Sequence, residues 1–305
     1  MILINLLRLI LVTKKGERLV RKTVFALSVI LAAMAVAACG MAAGGNPQVL
    51  TTTTILADMT KQVAGDRLRV GSIVPAGAHV EEYEPRPDDA KRMAEAKLVI
   101  TNGLDLDKWV EPLLRNSKSG TPVVTVTEGL PDIDANPHMW FDPALGRKYV
   151  ERIRDALIAL DPAGKDVYTA NAERYASEIL NLERELSAKV ATIPAERRKL
   201  VTSHDAFPYF AKAFGFEIVG FAQPEPDKMP SAGELADLIN KVKAANVPAI
   251  FSEAGVSPQL ADTIAKETGA KVVTDLPTDS LLDKPADSYL GLMRVVVDTI
   301  VAALR

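Results

Sequence analysis

The chain alternates short segments rich in β-branched residues with single amphipathic helices, and this alternation constrains its fold more than any other feature. Strands separated by single helices pair in parallel, and the helices then cover both faces of the sheet. The alternation begins at Val49 and breaks only once, near the middle of the chain. The predicted strands are VLTTTTIL, LRVGSIV, KLVITNG and TPVVTV before the break, and KLVTSH, FEIVGF, PAIFSE and AKVVT after it. Between KLVITNG and TPVVTV the pattern predicts a helix from Leu106 to Leu114.

The break consists of two helical segments with no strand between them. Apolar residues recur at i, i+3 and i+4 from Ala144 to Leu160 and again from Lys165 to about Ile193. The second segment would extend for about 43 Å at 1.5 Å per residue, which suits a rigid helix between two lobes. A long surface helix within one domain is the alternative.

These patterns predict an α/β protein with two lobes, each built on a mainly parallel sheet flanked by helices and joined by a long backbone helix. The predicted divisions are an N-terminal α/β lobe over 49–164, a linking helix over 165–193 and a C-terminal α/β lobe over 194–305.

The first 38 residues have the layout of a signal peptide. Basic residues (Arg18, Arg21, Lys22) precede an apolar run from Val24 to Val36, which is too short to cross about 30 Å of hydrocarbon comfortably. The run leads into Val-Ala-Ala-Cys-Gly, which resembles a bacterial lipobox. We therefore predict a lipoprotein signal peptide over 1–38, lipid attachment at Cys39 and a small-residue tether over 39–48.

Cys39 is the only cysteine in the chain. A single thiol in an exported protein needs an explanation, and lipid attachment supplies one; a plain signal peptide with an incidental cysteine is the alternative. A lone cysteine also excludes an internal disulfide and a metal site built from several thiolates.

The composition argues against nucleic acid as a partner. The sequence contains no run of alternating basic and aromatic residues, so a nucleic-acid groove is not expected. Without residues 1–38 the chain would carry 30 basic and 38 acidic residues, a net charge of about −8. That charge tolerates cations but does not identify a ligand.

Three histidines carry the functional argument, because neutral imidazole is the commonest ligand of transition metals. They occur in PAGAHVEEYEP, NPHMWFDP and TSHDAFPYF, as His79, His138 and His204. The last two follow strands or loops rather than lying inside helices, and ligands of open α/β sheets gather beyond the carboxyl ends of strands. Carboxylates for a fourth ligand occur at similar places, as Glu253, Asp275 and Asp279.

At this level of detail the chain resembles the zinc- and manganese-binding solute-binding lipoproteins of ABC importers, the ZnuA, TroA and PsaA type. The resemblance covers roughly residues 49–304 and rests on TTTTILADMTKQVAGD, LVITNGLDLDKWVEPLL, NPHMWFDP, SHDAFPYFAKAFGF and VTDLPTDSL. It implies a two-lobed metal trap with a backbone helix. It also implies His138 and His204 as metal ligands and Asp279 as the carboxylate ligand.

The first ligand motif departs from the family pattern. The family has histidine two places before the aromatic residue of an aromatic-Glu-Pro sequence, and in HVEEYEP that place is occupied by Glu81 rather than His79. Side chains two residues apart in an extended segment share a face, so either could approach one ion; we favour His79. Three imidazoles and a carboxylate suit Zn²⁺, whereas two of each favour Mn²⁺.

Metal-bound imidazoles usually donate their second N–H to a carboxylate, carbonyl or water. Asp142, Asp205 and Glu253 are the carboxylates placed by the motifs to do so. Helix caps or surface charges are equally available roles for these residues.

The sequence thus predicts an extracytoplasmic, lipid-anchored, monomeric component of an ABC importer rather than an enzyme. It would capture Zn²⁺ or Mn²⁺ as its transported ligand and deliver the ion to a membrane permease with a cytoplasmic ATPase. A chelate- or siderophore-binding protein of similar architecture is the main alternative. A metallohydrolase is weaker because the chain lacks HExxH, G-x-S-x-G and phosphate-loop motifs, and a surface adhesin is suggested by location only.

Overall fold

Two four-stranded parallel sheets form the framework of the protein in the computed structural model, which describes residues 47–117, 120–223 and 229–305. The first sheet contains β1 (Val49–Thr51), β2 (Val70–Ser72), β3 (Leu98–Thr101) and β4 (Val123–Thr125). The second contains β5 (Lys199–Thr202), β6 (Glu217–Phe221), β7 (Ala249–Glu253) and β8 (Lys271–Leu276). The predicted signal peptide, Cys39 and most of the predicted tether lie outside the described residues.

Helices connect the strands and cover the sheets. They are α1 (Thr54–Ala64), α2 (Pro87–Glu95), α3 (Val110–Ser117), α4 (Pro143–Leu160), α5 (Lys165–Val190), α6 (Pro208–Phe214), α7 (Ala232–Ala245), α8 (Gln259–Thr268) and α9 (Tyr289–Leu304). None of these helices is long and apolar enough to cross a bilayer, a finding that extends to the described ranges alone. The predicted α/β class, with two parallel sheets and one long helix, is confirmed.

Both sheets have the same strand order. The first runs β2-β1-β3-β4 and the second β6-β5-β7-β8, with every pairing parallel. In the first sheet Leu50 lies opposite Gly71 in β2 and Val99 in β3. In each sheet the connections that follow the two central strands lead to opposite sides of the sheet. A crevice therefore opens beyond the carboxyl ends of β1 and β3 in the first sheet and of β5 and β7 in the second. Loops that leave these ends are therefore the expected place for a ligand.

Helix α5 is the longest element, with 26 residues and a length of about 39 Å. Its buried residues recur every three or four positions and form one apolar stripe: Tyr168, Ala172, Tyr175, Ile179, Leu182, Leu186 and Val190. The helix ends three residues before the predicted boundary at 193. Such a stripe requires neighbours along the whole helix.

Those neighbours belong to both ends of the chain. Toward its start, α5 meets α1, where Asn171 Nδ2 donates to the carbonyl of Val63 at 3.1 Å. Toward its end, α5 meets α9, where Lys189 Nζ lies 2.6 Å from Asp298 Oδ1. The apolar core is continuous across the two sheets, because one cluster of buried side chains includes Val49 of β1 and Phe251 of β7.

Two element boundaries differ from the sequence prediction for local reasons. Strand β1 stops early because the Thr53 side chain accepts a hydrogen bond from Leu56 N at 3.0 Å and caps α1. Helix α3 starts at Val110 rather than at residue 106. There the buried Asp107 carboxylate accepts from the backbone N–H of Asn102 at 2.6 Å and of Gly103 at 3.0 Å, which holds the preceding residues in a loop.

Close packing of α4 against α9 gives a test of this arrangement. A Cβ added at Gly146 would lie 2.5 Å from the hydroxyl of the buried Tyr289. We expect Gly146→Ala to lower the free energy of unfolding by about 1–3 kcal/mol through overpacking, despite the better helix propensity of alanine. Urea denaturation followed by circular dichroism measures the change.

The matched control is Gly233→Ala in α7, where the nearest atom to an added Cβ is 3.9 Å away. This substitution should leave stability unchanged or raise it by up to about 1 kcal/mol. Equal effects of the two alanines would show that packing at Gly146 is looser than described.

Candidate metal centre

Three predicted ligands that are distant in sequence lie together in the structure. One ligand atom from each of His138, His204 and Asp279 lies within 4.8 Å of the other two, the one such group of histidines and carboxylates among the described residues. All three residues are at most 5% exposed. The two Nε2 atoms are 3.2 Å apart, and His138 Nε2 lies 3.2 Å from Asp279 Oδ1. His204 Nε2 is 3.9 Å from Asp279 Oδ2.

Different loops supply the three residues. His138 directly precedes a short 3₁₀ turn at Met139–Phe141, which leads into α4. His204 lies two residues beyond the end of β5, and Asp279 lies three residues beyond the end of β8. Buried aromatic rings follow both histidines, with Phe141 stacked on Phe207 at a centroid distance of 4.7 Å. Trp140, another of these buried rings, packs edge-on against His138 at a centroid distance of 5.1 Å, so an apolar wall borders that imidazole.

The spacing of the ligand atoms fits one metal ion. Two nitrogens bound at about 2.0–2.1 Å to a tetrahedral ion lie roughly 3.4 Å apart, close to the separation of the two Nε2 atoms. Asp279 Oδ1 is buried and makes no hydrogen bond of acceptable geometry, although His138 Nε2 is nearby. A buried carboxylate oxygen without a hydrogen-bond partner lowers the stability of the folded protein unless a cation compensates its charge. The residues present therefore match a divalent transition metal.

His79 lies at the edge of this group. Its Nδ1 is 3.6 Å from Asp279 Oδ2, and its side chain is 21% exposed, against 3% for Asp279. The nearby Asp279 carboxylate raises the pKa of His79 above its ordinary value, against the effect of partial burial. The backbone N–H of Gly77 donates to Ser280 Oγ at 2.9 Å, which pins the His79 loop to the Asp279 loop.

Glu81, the competitor of His79, is half-buried on the same loop. Its charge contributes to raising the pKa of His204, so its carboxylate lies near the centre. Neither Glu81 nor His79 belongs to the group of ligand atoms that lie within 4.8 Å of one another. Of the two, His79 is the one whose ring nitrogen lies near Asp279, at 3.6 Å.

Glu253 supports His204 from behind. Its Oε1 accepts from His204 Nδ1 at 2.7 Å and from the His204 backbone N–H at 3.1 Å, while its Oε2 accepts from Thr278 Oγ1 at 2.8 Å. With Nδ1 donating, Nε2 of His204 faces the centre. Burial alone would lower the pKa of His204, but the carboxylates of Glu253, Asp279 and Glu81 raise it to about 10.

Asp279 is the negative charge at the middle of the group. Burial would raise its pKa, but the neighbouring imidazoles of His138, His79 and His204 hold that pKa far below its ordinary value. Without a metal, His204 thus carries a proton whose charge balances Asp279. The proton lies between nitrogens and oxygens that a cation could bind instead.

The other two predicted supporting carboxylates lie elsewhere. Asp142 caps α4, because its Oδ1 accepts from the Ala144 N–H at 2.7 Å. Asp205 is half-buried, and its backbone carbonyl, rather than its carboxylate, accepts a hydrogen bond from Asn136. Asp275, at the end of β8, is exposed.

Sequence reasoning missed the neutral residues that position the imidazoles. Asn136 Oδ1 lies 3.0 Å from His138 Nδ1, and Asn102 Nδ2 donates to the carbonyl of Pro137 at 3.0 Å. Thr278 orients Glu253. The Asn-Pro-His sequence was the available signal for Asn136, whereas Asn102 and Thr278 approach from segments that the sequence alone does not connect to the site.

Comparison with known proteins agrees with this centre. The sequence model of the family described as "Zinc-uptake complex component A periplasmic" matches residues 49–303. A manganese-binding lipoprotein, MntA, from Halalkalibacterium halodurans is 33% identical over 301 residues, covering 93% of this chain and 99% of MntA. The iron-binding protein YfeA from Yersinia pestis is 35% identical over 264 residues, covering 83% of this chain and 85% of YfeA.

A solved structure extends the likeness to the fold. The Mn-bound periplasmic metal-binding protein from Candidatus Liberibacter asiaticus superposes with a TM-score of 0.78 at 33% identity, covering 84% of this chain and 99% of that chain. The family model, which matches residues 49–303, includes the three loops that supply His138, His204 and Asp279. The chain belongs to the family of periplasmic component A of zinc-uptake complexes.

Proposed function

We propose that this protein is the extracytoplasmic metal-binding component of an ABC importer and that it captures Zn²⁺ or Mn²⁺ for delivery to a membrane permease. The observation that carries the proposal is the buried convergence of His138, His204 and Asp279. Family membership supports the transport role. No chelate-sized ligand is needed to explain a centre in which the nitrogens lie 3.2 Å apart.

The ion would be held between two lobes, 49–164 and 194–305, with the segment 165–193 as their common spine. Support comes from the centre itself, since His138 enters from the first half of the chain and His204 and Asp279 from the second. Helix α5 contacts both α1 and α9, and one apolar core is continuous across the sheets. Such packing favours a limited closure over a wide hinge motion.

We further propose His79 as the fourth ligand, because its Nδ1 is 3.6 Å from Asp279 Oδ2. Three imidazoles and one carboxylate form a set that accepts zinc, and the harder Mn²⁺ would gain from a second carboxylate such as that of Glu81. Related proteins are named for zinc, manganese and iron, so the family includes members for different metals. In this chain the choice of metal would depend on whether His79 or Glu81 approaches the ion.

The proposed location follows from the N-terminal sequence, where Cys39 would carry the lipid that anchors a monomer to the outer side of the cytoplasmic membrane or to the cell surface. The name of MntA as a lipoprotein supports this location. Docking on the permease would then separate the ligand loops and release the ion inward.

The first test removes ligands one at a time. We expect His138→Ala, His204→Ala and Asp279→Asn each to weaken binding of Zn²⁺ or Mn²⁺ by more than about 100-fold, because loss of an outer-shell partner alone costs about 10–100-fold. Competition titration with a chromophoric chelator measures the affinity. Asp283→Asn is the matched control, since Asp283 is an exposed carboxylate on the same loop, and should bind as the wild type does.

Uptake in a strain that lacks the gene tests the transport role. Wild-type protein should restore accumulation of radioactive Mn²⁺ or Zn²⁺, and the Asp279→Asn variant should not. Normal uptake without the protein would contradict the proposal even if the purified protein binds metal.

The identity of the fourth ligand gives a separate prediction. We expect His79→Ala to weaken metal binding by about 10–100-fold and Glu81→Ala by less than about threefold. Of these two side chains, His79 is the one with a contact to Asp279. The same titration measures both affinities. The control is Glu82→Ala, since Glu82 is an exposed carboxylate next in sequence. The reverse order would make Glu81 the ligand and favour Mn²⁺ as the cargo.

Proton release gives the fourth prediction. In the metal-free protein the pKa of His204 is about 10, so at pH 7.5 the ion must displace that proton. Metal binding should therefore release about one proton, and affinity should rise about tenfold per pH unit between pH 7 and 8.5. Calorimetry in two buffers of different ionisation enthalpy counts the protons.

The matched variant is Glu253→Gln, which removes the carboxylate on His204 Nδ1 and so lowers the pKa of the imidazole. Proton release at pH 7.5 should fall by about one, while affinity becomes less dependent on pH. Unchanged proton release in the variant would show that another group carries the proton.

A further inference from the structure

The side chain of Asn136 contacts both histidine segments. Its Oδ1 lies 3.0 Å from His138 Nδ1 and accepts from the His138 backbone N–H at 3.0 Å. Its Nδ2 donates to the backbone carbonyl of Asp205, the residue after His204, at 2.5 Å. One amide group thus joins the loop that carries His138 to the loop that carries His204.

The main chain of Asn136 is fixed as well. Its N–H donates to the carbonyl of Ile133, and its own carbonyl accepts from the hydroxyl of Tyr209 in α6. Every polar group of the residue therefore has a partner. The main chain that carries the amide is thus fixed to α6 and to its own loop.

The acceptor end of the amide selects one tautomer of His138. When Oδ1 accepts from Nδ1–H, the lone pair of Nε2 is left facing His204 Nε2 and Asp279 Oδ1. The opposite tautomer would place a proton on Nε2, where an ion binds. Unlike Glu253 behind His204, the amide does this without adding negative charge to the centre.

The donor end sets the distance between the two rings. The bond to the Asp205 carbonyl holds the two loops in register, and the Nε2 atoms lie 3.2 Å apart, near the roughly 3.4 Å of two nitrogens on one tetrahedral ion. Asn102 anchors the neighbouring Pro137 carbonyl but contacts neither ring. The bond from Asn102 fixes the backbone before His138, whereas the Asn136 amide bonds the His138 ring itself.

We propose that Asn136 is a positioning residue shared by two metal ligands: it fixes the tautomer of His138 and holds His138 and His204 at metal-binding distance. The proposal rests on the proposed metal-binding function. It concerns preorganisation, the part of the affinity that comes from holding ligands in place before the ion arrives.

Two substitutions separate the ends of the amide. Asn136→Ala removes both, and we expect Zn²⁺ and Mn²⁺ affinities to fall by about 10–100-fold. Asn136→Asp keeps an acceptor for His138 Nδ1–H but replaces the donor to Asp205 with an oxygen that repels its carbonyl, so affinity should fall by about tenfold through the lost loop contact alone. Competition titrations with each metal salt measure these changes.

A tautomer measurement distinguishes positioning from simple stability. In ¹⁵N NMR of the metal-free protein, His138 should be the Nδ1–H tautomer in the wild type and in Asn136→Asp, and a mixture of tautomers in Asn136→Ala. Asn171→Ala is the matched control, because it also removes a side-chain bond to a distant carbonyl. It should lower stability without changing affinity or the His138 tautomer.

The outcomes separate this proposal from the proposed function. If Asn136→Ala binds both metals within threefold of wild type while His138→Ala does not, the positioning role is wrong and the metal-binding function stands. If His138→Ala also binds normally, the metal-binding function fails. A loss of affinity in Asn136→Ala with an unchanged His138 tautomer would contradict the role in selecting the tautomer.

Discussion

A buried carboxylate surrounded by imidazoles is the constraint on which the rest of this structure depends. Asp279 is 4% exposed, and a negative charge in such a place is unfavourable unless cationic or hydrogen-bonding groups compensate it. His138, His204 and His79 all approach it, from three different loops. The fold therefore has to hold those loops together, and the continuous apolar core and the long helix α5 do so.

Parallel sheet topology explains how residues so far apart in sequence can meet. In the second sheet the order β6-β5-β7-β8 places β5 beside β7. The loop with His204 and the end of β7 with Glu253 therefore lie together, where the connections after β5 and β7 lead to opposite sides of the sheet. Asp279 follows β8 on the same side. The first half of the chain contributes its ligand through Pro137 and His138, whose backbone is anchored by Asn102 after β3.

Sequence reasoning reached the fold and the three converging ligands for different reasons. Parallel strands and helices follow from local periodicity, so their bounds were close. The exceptions are β1, which ends where Thr53 caps α1, and α3, which starts after a loop held by the Asp107 carboxylate. Motif resemblance supplied His138, His204 and Asp279. Neither source could reveal Asn102 or Thr278, because these residues act through contacts between loops, whereas the Asn-Pro-His sequence held a signal for Asn136 that was missed. The sequence argument about His79 and Glu81 assumed an extended segment, but a turn follows His79, closed by the Tyr83 N–H on the Val80 carbonyl at 3.3 Å, so the two side chains do not share a face by strand geometry.

Proton and metal are alternative ways of satisfying the same group of atoms. With Nδ1 of His204 directed at Glu253 and Nδ1 of His138 directed at Asn136, the two Nε2 atoms face each other at 3.2 Å. Two facing lone pairs repel, so the metal-free centre needs a proton between them, and the carboxylates of Glu253 and Asp279 stabilise that proton on His204. A divalent cation takes over the same role with an added positive charge. The ligands can thus remain nearly where they are in both states, since the partners that orient them do not depend on which cation they hold.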